Sequence, residues 1–350
     1  MGADAGVRTL ALGIIGCASI VRRAVFQPMP FVEGIRVVGI ANRTRSRAEA
    51  LAVEFGIPRV FEQLEDVLAS PDVDAVYIAL SNDLHAEWVL RAVEAGKHVL
   101  VEKPIAMNAA ECAKLAERLA GQSAVVLEGL MLQHHPWQSA LRELIQGQRY
   151  GKLLQMRTEM HIPMRDLPLT SYRCDPGRGG GVFADLGCYW LQTLQQLPGF
   201  EAAKPMKLTA ESAFDGPRGC DWTFGASLNY ESGVAAELSA SFERPYRTRH
   251  VLRLEHADLV VNDFFRANVG RYKITIKIEE REPGRPLGRI SFDPQHYYEN
   301  QLEYFRDSVL TGTSIGSREL LRESLERVRL QERIHAAAVN RKRHVEERMK

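Results

Sequence analysis

Two stretches of this sequence carry residues whose types and spacing suit proton and hydride chemistry. The first is Val99-Leu100-Val101-Glu102-Lys103-Pro104. Its apolar run reads as a strand that Pro104 ends. A lysine at a strand end is poorly solvated, so it needs a partner or a task. Such a cation can polarise a substrate oxygen or tune a neighbouring acid; the alternative is a surface lysine on a loop. The second stretch is Gly179-Gly180-Gly181-Val182-Phe183-Ala184-Asp185-Leu186-Gly187-Cys188-Tyr189. Its glycines allow close backbone approach, and an apolar helix is expected over Val182–Leu197. Asp185 and Tyr189 then share one helical face. A carboxylate on an apolar helix is expensive to bury, so a polar site is expected there. A phenol, with an intrinsic pKa of about 10, stays protonated at neutral pH and can protonate a carbonyl that receives hydride. A nearby ammonium would lower that pKa. The alternative is Tyr189 as a core aromatic with its hydroxyl bonded to Asp185.

Hydride chemistry needs a carrier, and the N-terminal region offers a cradle for one. Gly13-Ile14-Ile15-Gly16-Cys17-Ala18-Ser19-Ile20 reads as a strand turning into a helix that starts near Ser19. Helix N-termini present unpaired N–H groups to a pyrophosphate, and small residues let it come close. The pattern departs from a strict G-x-G-x-x-G: Ala18 replaces the second glycine and Val21 the third small residue. After the second strand, Asn42-Arg43-Thr44-Arg45 and Arg47 bring no carboxylate for a ribose 2′-hydroxyl. An arginine there can pair with a 2′-phosphate, which predicts NADP(H); the alternative is that these arginines decorate a solvated helix start. Ser81 and Asn82 follow the Ala75–Leu80 run, at the carboxyl edge where ligands sit, or else cap the next helix. The expected cofactor set is Gly16, Cys17, Ala18, Ser19, Ile20, Asn42, Arg43, Arg47, Leu80, Ser81, Asn82, His85, Glu102, Lys103 and Arg173.

The elements that position these residues follow from periodicity. Apolar runs at Thr9–Ile15, Ile35–Ala41, Ala75–Leu80, His98–Val101 and Ala124–Leu127 alternate with helical patterns at Ile20–Met29, Arg45–Phe55, Leu84–Ala95 and Ala109–Leu119. That alternation predicts a doubly wound parallel sheet over residues 1–130. Beyond it, Leu153–Ile162, Lys207–Phe214, Trp222–Tyr230, Gly233–Phe242, His250–Glu255, Leu259–Val261 and Arg271–Ile278 read as strands joined by short turns. Residues 131–350 are therefore expected to form an α+β domain with an open, mostly antiparallel sheet. It would close with helices Gln295–Leu310 and Arg318–Lys342, and Arg341–Lys350 is expected to be solvated and frayed. The fold class is α/β.

Composition narrows the partners. The 350 residues suit two domains, and 45% hydrophobic with 25% charged residues indicate a globular protein. With 45 basic against 44 acidic residues, no global field favours nucleic acid or a membrane surface. Cys17, Cys112, Cys174, Cys188 and Cys220 form no C-x-x-C pair and no zinc-ligand spacing. No metal is expected, and the odd cysteine count fits a reducing cytoplasm. Leu10–Val21 lacks the basic lead-in of a signal peptide, and no apolar run is long enough to span a membrane.

Taken in order, the Gly16-Cys17-Ala18-Ser19-Ile20 turn, Glu102-Lys103-Pro104, Glu128-Gly129-Leu130-Met131-Leu132-Gln133-His134-His135-Pro136, Gly179–Tyr189 and Tyr297-Tyr298-Glu299-Asn300-Gln301-Leu302 resemble the Gfo/Idh/MocA oxidoreductase family. The resemblance covers nearly the whole chain. It implies an N-terminal Rossmann domain, a second domain whose open sheet makes homodimer or homotetramer contacts, and hydride transfer between nicotinamide and a sugar-like carbonyl. By position Lys103 matches the family's catalytic lysine and Asp185 the acid before the proton donor. Tyr189 stands where many relatives have histidine. That resembles the branch of nucleotide-linked 3-ketosugar reductases, dimeric dihydrodiol dehydrogenases, xylose dehydrogenases and glucose-fructose oxidoreductase, which mostly use NADP(H). Gln133 replaces a common arginine. Substrate contacts are expected among His161, Arg165, Tyr172, Arg173, Tyr246 and Arg247; the three arginines would hold a diphosphate or else pair with Asp166, Asp175 and Glu243. Two other classes share the scaffold: a catalytically silent dinucleotide sensor, which need not keep both Lys103 and Tyr189, and an imine reductase.

Overall fold

The computed structural model describes residues 8–200, 204–266, 270–281, 286–312 and 314–348. They pack as two compact units. One draws on 1–106, 110–131 and 298–322, the other on 107–109, 132–297 and 323–350.

The first unit is built on five parallel strands, β1 (Leu10–Ile15), β2 (Ile35–Ala41), β3 (Ala75–Ile78), β4 (His98–Val101) and β5 (Val126–Glu128), in the order β2-β1-β3-β4-β5. Every residue of β1 and β3 is buried, as expected of strands covered on both faces. The crossover helices are α1 (Arg45–Phe55), α2 (Leu64–Ala69), α3 (Asn82–Glu94) and α4 (Ala109–Leu119). The strand order reverses between β1 and β3, and a ligand crevice forms beyond the carboxyl ends at such a point.

The expected helix over Ile20–Met29 takes an irregular form. It starts at Ile20, but Arg22–Phe26 is a π-turn, in which Gln27 N–H reaches back to Arg22 O at 2.8 Å, and Met29–Phe31 is 3₁₀. Pro28 and Pro30 have no N–H to continue an α-helical ladder.

The second unit holds an eight-stranded sheet: β6 (Leu153–His161), β7 (Lys207–Glu211), β8 (Thr223–Asn229), β9 (Ala235–Ser241), β10 (Arg247–Leu254), β11 (Asp258–Asn262), β12 (Ile274–Glu279) and β13 (Pro286–Phe292). The order is β13-β12-β11-β10-β6-β9-β8-β7, antiparallel except for the β6–β9 pair. Burial alternates residue by residue in β8, β9 and β10, so one face is covered and the other is not. Two helices, α5 (Pro136–Gln146) and α6 (Val182–Gln195), belong to this unit, and α7 (Tyr297–Leu310) and α8 (Ser314–Arg348) follow. Phe183 of α6 stacks on Phe224 of β8 with centroids 4.2 Å apart, and both rings are fully buried. Each such burial contributes about 1.5–3 kcal/mol.

Four further features differ from the sequence reading. Strand β13 was not expected, because its residues are mostly exposed and show no buried alternation. Helices α2 and α5 were also not expected. The tail expected to fray from Arg341 continues as helix to Arg348, while residues 349–350 lie outside the described residues. Among the described residues no helix is long and apolar enough to cross a membrane.

Candidate active site

In the first unit the expected cofactor residues gather at the carboxyl ends of β1, β2 and β3. Gly16 has φ +98°, and a Cβ there would lie 2.3 Å from Ala79 O, so only glycine lets the turn press against the end of β3. Val21 N–H bonds back to Ala18 O at 3.0 Å, while the N–H groups of Ala18 and Ser19 have no partner among the described residues. Free N–H groups at the start of a helical run fit a pyrophosphate. The Asn42 amide is committed to holding the two turns together: its Oδ1 accepts Cys17 N–H at 3.2 Å and its Nδ2 donates to Thr44 O at 2.9 Å. Arg45 is paired with Glu49 and Glu62. Arg43 and Arg47 are exposed and have no ion pair among the described residues, which leaves them available to a 2′-phosphate. Burial raises the Cys17 thiol to about 11 despite Arg47 and Arg22 nearby, so it stays a neutral thiol.

Around Lys103 the unit is closely packed and heavily braced. Lys103 is 9% exposed, and its bond to Pro104 is cis. Glu102 accepts the Tyr77 hydroxyl, and burial raises its pKa against the pull of Tyr77, Lys103 and Arg23. Arg23 lies over the Tyr298 ring at 6.0 Å, and burial pushes that phenol up to about 12. His85 ties two site loops together: Nδ1 is 2.8 Å from Pro104 O and Nε2 3.3 Å from Leu80 O. It is buried, with its pKa lowered mainly by desolvation. His85 thus braces the Leu80 and Lys103 loops through its ring. Ser81 is the N-cap of α3 without a side-chain capping bond, which leaves its hydroxyl uncommitted to that helix. Asn82 is buried in the first turn of α3.

In the second unit α6 presents Asp185 and Tyr189 one turn apart, as the four-residue spacing predicts. Asp185 is 4% exposed. Arg173 donates Nε to Oδ2 at 2.9 Å and Nη2 to Oδ1 at 3.2 Å, and Tyr172 OH donates to Oδ1 at 3.3 Å. Burial alone would lower the Arg173 pKa, but Asp185, Tyr172 and Tyr189 outweigh it and raise it. The guanidinium is thus fixed by Asp185 in the same unit as the Tyr189 phenol. Tyr189 is 7% exposed and meets the Phe265 ring edge-on at 4.9 Å.

The other residues expected to touch substrate do not all gather here. Arg173 pairs with Asp185, not Asp175, whose partner is Arg218 at 3.1 Å. Arg247 pairs with Glu159 at 2.8 Å, not with Glu243. His161 and Arg247 are register partners, and both alternate with residues buried on the helix-covered side. Thr158 marks that side, since its hydroxyl bonds His250, whose ring stacks on Trp137 of α5. His161 and Arg247 accordingly occupy the uncovered face, away from α6. Tyr246 shares the covered side with Thr248, with their oxygens 3.2 Å apart, and Arg165 is exposed on its loop. Sequence reasoning missed Asp221, a buried carboxylate at the start of α6; the segment Gly219-Cys220-Asp221 reads locally as an ordinary turn before a strand.

A parallel sheet with a glycine turn at its order reversal, followed by a unit whose helix presents an acid and a phenol, is an oxidoreductase architecture. Residues 10–130 match the oxidoreductase family model with an NAD-binding Rossmann fold, and residues 139–259 match the Gfo/Idh/MocA C-terminal domain, so the chain belongs to the Gfo/Idh/MocA oxidoreductase family. It is 30% identical to a dTDP-3,4-didehydro-2,6-dideoxy-alpha-D-glucose 3-reductase of Streptomyces violaceoruber, over 82% of this chain and 91% of that one. It is 29% identical to a D-xylose 1-dehydrogenase (NADP(+)) of Haloferax volcanii, over 87% and 90%. Among solved structures it is similar to KijD10, a 3-ketoreductase from Actinomadura kijaniata in complex with NADP and TDP-benzene. The TM-score is 0.84 at 26% identity, covering 94% of this chain and 98% of that one.

Proposed function

We propose that this protein is an NADP(H)-dependent oxidoreductase that exchanges hydride with a carbonyl or hydroxyl carbon of a sugar-like substrate, with a nucleotide-linked ketosugar as the first candidate. The observation that carries the reading is the pair of buried residues Asp185 and Tyr189 on α6, with Arg173 clamped on Asp185 at two points, in a chain that also keeps Lys103. The nicotinamide, when bound, supplies or accepts the hydride. The free N–H groups of Ala18 and Ser19 hold the pyrophosphate, and Arg43 with Arg47 takes the 2′-phosphate.

In the direction of reduction, Tyr189 gives its phenolic proton to the oxygen that becomes the alkoxide. Lys103 stabilises negative charge on that oxygen, and its low exposure makes the interaction stronger than in water. Arg173 favours the transient phenolate, and Asp185 fixes the guanidinium by a two-point contact. In oxidation the same groups run backwards, with Tyr189 as base.

A free aldose is the second reading, favoured by the D-xylose dehydrogenase relative. We place self-association on the uncovered face of the eight-stranded sheet, where Arg157–Glu237 at 3.0 Å and Arg247–Glu159 at 2.8 Å form a charged surface. The reducing cytoplasm suits a chain whose five cysteines are all free. A screen of purified protein, following NADPH absorbance against dTDP-linked 3-ketosugars and NADP⁺ reduction with aldoses, tests the assignment. Turnover on at least one panel is expected, and none on either, with NADPH bound, would contradict it.

A further inference from the structure

The helix that carries Asp185 and Tyr189 begins without a cap of its own. Its N-cap is Gly181, at φ 108° and ψ 159°, which has no side chain to offer its unpaired N–H groups. Asp221 meets them from outside: Val182 N–H donates to Asp221 O at 2.8 Å, and Phe183 N–H donates to Asp221 Oδ2 at 2.7 Å. A Cβ on Gly181 would lie 2.0 Å from Asp221 Oδ1, so the glycine is what admits the carboxylate. Asp221 is 1% exposed.

A second element grips the same helix along its length. Glu323, Arg327, Gln331 and His335 recur every fourth residue of α8 and so share one face. At the far end of α6, Gln195 Nε2 donates to Glu323 O at 3.0 Å, Gln196 Nε2 donates to Glu323 Oε2 at 3.4 Å, and Arg327 bonds Gln195 Oε1. At the near end, Gln331 Nε2 donates to Phe183 O at 2.9 Å and Ala184 O at 3.3 Å, and His335 Nε2 lies 3.9 Å from Asp221 Oδ1. The two helices therefore run antiparallel, with polar fastenings at both ends.

We propose that Asp221, backed by this face of α8, is a positioning residue that fixes where α6 sits along its own axis, and with it the Asp185 carboxylate and the Tyr189 phenol. The functional half of this inference rests on the role proposed above for Tyr189; the mechanical half does not. A slip of one residue would move both groups by about 1.5 Å. A misplacement of about 1 Å can cost roughly a hundredfold in rate.

The test compares Asp221→Ala with Asp221→Asn, which keeps an oxygen acceptor, in the full chain. Hydrogen exchange of the peptide covering Val182–Trp190 needs no ligand and reads the grip directly. Rates with a dTDP-linked 3-ketosugar and NADPH, expressed per NADPH-binding site, read its consequence. The alanine variant should exchange at least tenfold faster at the start of α6 and lose at least tenfold in kcat, with NADPH affinity within twofold of the parent, and the asparagine variant should recover both. A merely structural role would lower the yield of folded protein and leave kcat per site unchanged. Parental exchange in the alanine variant, or parental kcat per site, overturns the proposal. Where Asp221→Ala gives no folded protein, Gln331→Leu carries the same test, with no change in exchange as the overturning result. If Tyr189→Phe turns over normally, the reading of the site fails while the exchange result still decides whether Asp221 holds the helix.

Discussion

Arg173 grips Asp185 at two points, Nε to Oδ2 at 2.9 Å and Nη2 to Oδ1 at 3.2 Å, one helical turn before Tyr189. The aspartate side chain is 5% exposed and the arginine 26% exposed, so it is the carboxylate that has no water as a ready substitute. Removing one member of such a pair strands the other and costs on the order of 3 kcal/mol. Arg173→Ala should therefore lower the midpoint of thermal unfolding by several degrees and depress kcat. Arg173→Lys should fail to restore kcat, because an ammonium cannot make the planar two-point contact. A lysine variant with parental kcat would show that only a positive charge is needed.

Arg43 and Arg47 lack ion-pair partners among the described residues, whereas Arg45 is already engaged by Glu49 and Glu62. Arg43→Ala should weaken NADPH at least tenfold while changing NADH by less than threefold, read by fluorescence titration. Arg45→Ala should change neither. Equal loss for both cofactors in the Arg43 variant would remove the 2′-phosphate argument.

Asp221 gives a pH signature with a defined sign. Burial holds its pKa at about 7, above the unfolded carboxyl value of about 4, although the Phe183 N–H pulls the other way. The folded chain thus keeps a proton that the unfolded chain has already released. This group's penalty is absent below pH about 4 and grows as pH rises to about 7. His335 is held below its usual value by burial, so it is largely neutral at pH 7 and does not offset that cost. Asp221→Asn should gain stability relative to the parent between pH 5 and 8, on the order of a few kcal/mol. Denaturant unfolding at the two pH values measures it, and a gap that does not widen with pH would contradict the buried ionisation.

Much of the fold was readable because its signals are local. The β1 run Leu10–Ile15 is apolar throughout, and the alternation in β8 to β10 reports a half-covered sheet. The Asp185–Tyr189 spacing reports a shared helical face for the same reason. Helix α5 was not expected, although its local signals are present: Pro136 at its first turn, and Trp137, Leu141 and Ile145 at every fourth residue. What else escaped depends on residues distant in the chain. Nothing near Asp221 indicates that it meets the start of α6, and the periodicity of α8 shows a polar stripe without saying what it grips. Arg173 was expected beside Asp175 or a ligand; burial decides for Asp185, because the deeper carboxylate has more to lose without a partner.

The most direct test of the central claim is the steady-state rate of Tyr189→Phe and Lys103→Ala on a dTDP-linked 3-ketosugar with NADPH, measured beside NADPH affinity. The account predicts that each substitution lowers kcat by roughly a hundredfold or more, within the range for a proton-transfer group, while NADPH still binds. Parental kcat in both variants, with the coenzyme bound, would contradict it.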